Sequence, residues 1–185
     1  MPERDKIKRF EQIALPHLDA AYNLARWLTR NADDAEDVVQ ESFLRALKYL
    51  DGFHGGDGRS WLLTIVRHTC YTWLQANRPK EVIGGFDEAL YGQDDEDSAL
   101  GELPENDPAA WLERTSEAQS LNAAIAELPI EFREVLILRE IEDLSYKEIA
   151  RIAAIPIGTV MSRLARARKM LQRALLARSP KESEG

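Results

Sequence analysis

The sequence predicts an all-α protein of two small helical domains joined by an acidic, flexible linker. Three observations carry this. Apolar residues recur at helical spacing toward both ends of the chain, while glycine, proline and acid crowd the middle. The stretch between Glu148 and Glu182 holds eight cations and no acid. At 185 residues with 44% apolar and 30% charged residues, the chain can bury a core and is not disordered throughout.

The first region, residues 1–79, reads as helix from its start. Phe10, Ile13, Ala14, Leu18, Ala21, Tyr22 and Ala25 fall at helical intervals. A second helix is expected from near Asp33, whose spacing to Glu36 suits a capping box. It carries Val39, Phe43, Ala46 and Leu50 on one side, and Asp37, Gln40, Glu41 and Lys48 on the other. Four glycines between Gly52 and Gly58 then predict a loop. A third helix is expected from about Ser60 to Asn77, with Leu62, Ile65, Val66, Thr69, Trp73 and Leu74 inward, and Pro79 stops it.

Residues 80–109 read as the linker: residues 81–117 hold one cation, Arg114, against 12 acids. Two readings of those acids stand open: a solvated tether, or a segment that folds back on the basic helix and masks it. The second region, 110–178, starts near Ala109 with Leu121, Ile125 and Leu128 inward. Pro129 opens the next helix, with Phe132, Val135, Leu136 and Leu138 inside. Ser145 and Glu148 have capping-box spacing before a short helix that Ala154-Ile155-Pro156 breaks. A longer helix follows from Ile157 or Gly158, and the pair forms a helix-turn-helix pattern.

The last helix divides into two stripes. Val160, Leu164, Ala167 and Leu171 share one face and are expected to pack inward. Thr159, Ser162, Arg163, Arg166, Lys169 and Arg173 share another, as a helix does that reads base edges in the major groove. Gly158 and Thr159 can offer backbone N–H groups and a hydroxyl to a phosphate. An acidic protein with such a basic end is a nucleic-acid candidate, because the local field decides phosphate binding.

Other chemistries find little support. Cys70 is the only cysteine, so no disulfide framework is expected, and the chain suits a reducing cytoplasm. Three scattered histidines (His17, His54, His68) make no metal-ligand cluster with it. The glycine loop lacks the G-K-[ST] ending of a phosphate loop. No nucleophile–base spacing is legible, so no enzymatic activity, cofactor or metal is expected. Neither a secretory leader nor a membrane-inserted segment is expected.

The residues from Leu144 to Ala150 and from Gly158 to Arg168, preceded by Leu128-Pro129, Phe132-Arg133 and Leu138-Arg139-Glu140, resemble the −35-binding domain of bacterial sigma factors. The run from Asp34 to Phe43 resembles the sigma segment that grips the clamp helices of the largest polymerase subunit. Phe53, Trp61-Leu62, Ile65 and Arg67 resemble the segment that opens and reads the −10 element. The ordered pair resembles the small extracytoplasmic-function (ECF) sigma factors. That resemblance implies core RNA polymerase as partner, through its clamp helices and the flap of the second-largest subunit, with promoter DNA and an anti-sigma factor as further partners. It implies that Asp37, Gln40, Glu41 and Phe43 bind polymerase. It places Phe53, Arg59, Trp61, Arg67 and His68 at the −10 element, with Trp61 bordering the melted strand and Trp73 in the core. It places Pro156, Gly158, Thr159, Ser162, Arg163, Arg166, Arg168 and Lys169 at the −35 element.

The chain departs from the family pattern where His68 replaces a common Asn, Thr72 a common Asp and Gln75-Ala76 common arginines. Met161 stands where a cation is frequent, and Ala154 where the turn often has Gly. His68 reads either as a neutral hydrogen-bond donor or as a pH-sensitive group. The glycine loop reads either as a tether or as part of a base-capturing pocket. Two other functions compete: a stand-alone helix-turn-helix regulator, and a sigma mimic that sequesters an anti-sigma factor. Neither accounts for both the clamp-like segment and the basic recognition helix.

Overall fold

The computed structural model describes residues 2–82 and 114–178, all of them helix, turn or loop. The acid-rich stretch from Glu88 to Asp107 and the expected start at Ala109 lie outside those residues. The first domain holds α1 (Glu3–Ala14), α2 (Leu18–Thr29), α3 (Ala32–Lys48), α4 (Gly58–Asn77) and a short α5 (Pro79–Val82). The second holds α6 (Arg114–Glu127), α7 (Ile130–Leu136), α8 (Tyr146–Ala153) and α9 (Ile157–Arg178).

The apolar periodicity from Phe10 to Ala25 spans two helices, not one. A 3₁₀ turn over Leu15–His17 separates them, because Pro16 has no N–H to continue the ladder. The cap of α3 also differs from expectation. Asn31, not Asp33, is the N-cap, and its side chain accepts a 3.0 Å bond from the Asp34 N–H. Asn is among the best residues there, and it leaves both aspartates inside the first turn, where the helix dipole favours them. In α4 the start moves back to Gly58. Asp57 accepts from Arg59 N at 3.0 Å and from the Ser60 hydroxyl at 2.5 Å. The Ser60 bond holds the Asp57 carboxyl below its ordinary range.

Gly58, at the start of α4, lies tight against α1. A Cβ there would stand 3.2 Å from both Cγ2 and the carbonyl oxygen of Ile13. Pro79 ends α4 as expected but opens α5, which extends helical structure into the range read as linker. Arg78 ties this corner down, donating to Thr29 O and pairing with Glu81 at 3.3 Å.

In the second domain Pro129 is the N-cap of α7 and not its first helical residue. The helix runs on as a π-helical turn over Ile137–Ile141, and Arg139 reaches forward to donate to Leu144 O at 2.9 Å. Ser145 caps α8, accepting from Glu148 N at 3.1 Å. Only this arm of the expected capping box forms, because the Glu148 carboxylate turns toward Arg59 instead, 3.6 Å away. Ala154 closes α8 in the left-handed conformation at φ 56°, and Ile155 N bonds back to Ala150 O at 3.0 Å. That closure sets the angle at which α9 departs.

The core of the first domain centres on Leu24, Leu28, Leu62, Leu63 and Leu74, all fully buried. That of the second centres on Phe132, Leu136, Leu138, Leu144 and Ile149, against the α9 stripe of Val160, Leu164, Ala167 and Leu171. The domains also pack on each other, α4 against α8 and α2 against α7.

Candidate nucleic-acid interface

The recognition helix is built as its two stripes require. With the apolar stripe fixed inward, Pro156, Gly158 and Ser162 stand exposed at the N-terminal end of α9, with Thr159 and Arg166 half-exposed beside them. Apart from its own helix and chain neighbours, no described atom lies within 4 Å of where a Cβ on Gly158 would sit, which leaves that approach open. Ile157 and Met161, one turn apart, are 46% and 53% exposed and put two apolar side chains beside the polar ones. Such groups suit the methyl of thymine.

The cations of this helix are not equivalent. Arg166 makes no ion pair to a described residue. Arg168 is held by Glu140 through two bonds, at 2.6 and 3.1 Å. Arg163 lies near enough to Glu134 to favour its charged form. The basic stripe read from the sequence is therefore partly committed within the protein, and Lys169 is half-buried and already engaged.

In the first domain, Asp37, Gln40 and Glu41 all face solvent on α3. Glu41 pairs with Arg45 one turn on, at 2.7 Å. A shallow groove beside them is lined by Leu18, Asp19, Tyr22, Glu36, Val39 and Gln40. Phe43 turns inward instead: its ring meets that of Phe10 edge-on, centroids 5.7 Å apart. It supports the acidic face from below and does not stand on it. Leu44, 69% exposed, is the apolar residue presented beyond that face.

The residues assigned to strand opening sit around the start of α4. Phe53 is buried, with its ring 4.9 Å from that of the half-buried Trp61. Arg9 donates to Phe53 O at 2.5 Å and fixes the loop there. Gly55 and Gly56 both take φ near +98°, a backbone that other residues rarely adopt. His68 is exposed. Trp73 packs against the core, with the Arg78 guanidinium 5.1 Å from its ring centroid.

Arg59 and Arg67 meet acids of the second domain. Arg67 grips the carboxylate of Glu134 with two bonds, at 3.0 and 3.1 Å, and the Tyr71 hydroxyl donates to the same carboxylate at 2.7 Å. Glu134 is fully buried, and that burial pushes its carboxyl above the ordinary range against the pull of Arg67 and Tyr71. Burial pulls the Arg67 pKa down, but the charge and hydrogen bonds of Glu134, joined by Tyr71, together outweigh it and hold the guanidinium above its ordinary range. Arg59 donates to Glu142 O at 3.2 Å and lies near Glu148. Sequence reasoning missed Glu134 and Tyr71. A signal existed for the first: a lone acid amid Phe132, Val135, Leu136 and Leu138 must be paired if that run is buried.

A basic helix behind a capped turn, beside a helical domain with an exposed acidic face, fits a two-domain DNA-binding transcription protein. Comparison with known proteins narrows the class. Residues 13–79 match the family model of sigma-70 region 2, and residues 118–171 that of sigma-70 region 4. The RNA polymerase sigma-H factor of Pseudomonas aeruginosa is 32% identical over 94% of this chain and 89% of its own length. The ECF RNA polymerase sigma factor SigW of Bacillus subtilis is 33% identical over 90% of this chain and 88% of its own. The sigma factor RpoE of Bartonella quintana, solved in complex with the anti-sigma factor NepR, superposes with a TM-score of 0.67 at 30% identity. That match covers 94% of this chain and 99% of that one. The chain belongs to the sigma-70 family, in its extracytoplasmic-function group, and is a transcription-initiation factor. Among the described residues no helix is long and apolar enough to cross a membrane.

Proposed function

We propose that the chain divides the work of promoter recognition between its two domains and acts by binding alone, without covalent catalysis, in the cytoplasm. The first domain docks on the polymerase clamp through Asp37, Gln40 and Glu41, supported from below by Phe43. The face of α4 carrying Arg59, Arg67 and His68, with Trp61 and the Phe53 loop at its edge, takes the −10 element and stabilises its open strand. A stacked base is worth about 1–3 kcal/mol there.

The second domain reads the −35 element through α9 and meets the polymerase flap. Ser162 and Arg166 face the base edges, Arg163, Arg168 and Lys169 lie toward the phosphates, and Pro156, Gly158 and Thr159 approach the backbone at the helix start. Polymerase fixes the separation of the two domains, which converts two weak DNA contacts into one strong one. An anti-sigma factor holds the protein inactive; the solved complex of RpoE with NepR supports that partner class.

The observation that carries this reading is the N-terminal end of α9. Its buried stripe is seated in the core, and Gly158, Ser162 and Arg166 are left open, the arginine with no ion-pair partner among the described residues. Run-off transcription with purified core polymerase on genomic fragments tests it. Discrete start sites that appear only with the protein are the expected result; their absence refutes the assignment.

A further inference from the structure

Two large apolar side chains at the reading end of α9 are only half covered by the protein. Val160 and Leu164, 0% and 1% exposed, are seated in the core and fix the roll of the helix. With that roll, Ile157 and Met161 come out on one flank, a single turn apart, 46% and 53% exposed. Gly158 and Ser162, each next in sequence to one of them, are exposed as well, so this flank is continuous with the polar reading surface.

The charges of α9 do not serve it. The first cation farther along the same flank is Arg168, and Glu140 holds its guanidinium with two bonds, at 2.6 and 3.1 Å. Arg166 projects about 140° around the helix from Met161. A base edge facing this flank therefore meets methyl, methylene and sulfur groups and no uncommitted cation. Of the groups that the four standard bases present in the major groove, one is apolar: the C5-methyl of thymine. The others are donors and acceptors, which this flank would strip of water without pairing. The two side chains also divide the task by stiffness. Ile157 is β-branched and presents a fixed surface. Met161, unbranched and polarizable, can close on a methyl whose position shifts with the local shape of the groove.

We propose that Ile157 and Met161 determine specificity by selecting thymine, through its methyl group, at one or two adjacent base pairs of the −35 element, beside those read by Ser162 and Arg166. The proposal rests on the assignment of α9 to that element. It divides the element into a part read by hydrogen bonds and a part read by burial of a methyl group.

The test uses holoenzyme reconstituted from purified core polymerase and the full chain, on synthetic duplexes of a promoter that it uses in run-off transcription. Each thymine of the −35 element, on either strand, is replaced singly by deoxyuridine, which removes the methyl and keeps every hydrogen bond. Binding by the parent should fall about three- to fivefold at one or two neighbouring positions, the size of one buried methyl group. Met161→Ala should bind the thymine duplex as weakly as the parent binds the deoxyuridine one, and should no longer distinguish the two. Ile157→Ala should reduce the same penalty or remove its neighbour. Parent binding that is indifferent to deoxyuridine throughout, or an element without thymine, overturns the proposal and needs no variant. A penalty that survives intact in both variants overturns it too, as does a loss of core-polymerase binding in the variants with the penalty unchanged, which gives this flank to the polymerase. Arg166→Ala on the same duplexes isolates the underlying assignment. If it binds them as the parent does, α9 does not read the element and both readings fall. If it binds weakly while deoxyuridine costs the parent nothing, the thymine inference alone falls.

Discussion

Replacing Arg166 by Ala should separate DNA reading from folding. Arg166 is half-exposed on α9 and makes no ion pair to a described residue, while the helix is anchored by Val160, Leu164, Ala167 and Leu171. Its loss breaks no internal contact of that kind, so unfolding free energy should move by no more than about 0.5 kcal/mol. In the complex, a good base contact from arginine is worth about 1–3 kcal/mol, or roughly 5- to 150-fold in occupancy. Transcription from a −35-dependent promoter, titrated against holoenzyme concentration, should fall by that factor, with polymerase binding unchanged. Arg168→Ala is the paired control. It breaks the two-bond contact to Glu140, so it should cost stability where Arg166→Ala does not. Arg166→Ala with full promoter activity, or with a large loss of stability, refutes the division of cations on α9.

Other outcomes follow from the same geometry. Ala154→Gly should raise stability in urea titration by about 0.5–1 kcal/mol, since Ala holds a left-handed φ of 56° that costs it more than the entropy glycine loses. Leu144→Ala, beneath the π-helical turn and fully buried, should cost about 2–5 kcal/mol in the same titration. Charge reversal on α3, with Gln40→Lys and Glu41→Lys together, should weaken holoenzyme formation by gel filtration and leave the circular dichroism melt intact, because both side chains face solvent. Cys70 should resist iodoacetamide in the native protein and react on unfolding, for it is fully buried and that burial pushes its thiol well above the ordinary range.

Much of this molecule was determined by local sequence. The α9 stripe, the Ser145 cap, the stop at Pro79 and the glycine loop follow from periodicity and turn chemistry that act within a few residues. Where local rules competed, the structure chose: Asn31 over Asp33 as a cap, two helices over one at Pro16, and Arg59 over the Ser145 N–H for the Glu148 carboxylate. The acidic face of α3 and the reading end of α9 were legible because exposed polar residues opposite an apolar stripe need no partner to be placed.

Only the tertiary structure decided which charges are spent inside the protein. Helical spacing put Arg163 on a basic stripe and the family resemblance put Arg67 at the −10 element, but neither carries information about Glu134, 29 and 67 positions away in the chain. Burial makes the difference. In water such cations are interchangeable; against a fully buried carboxylate, distance and dielectric bind one and leave another, Arg166, facing solvent.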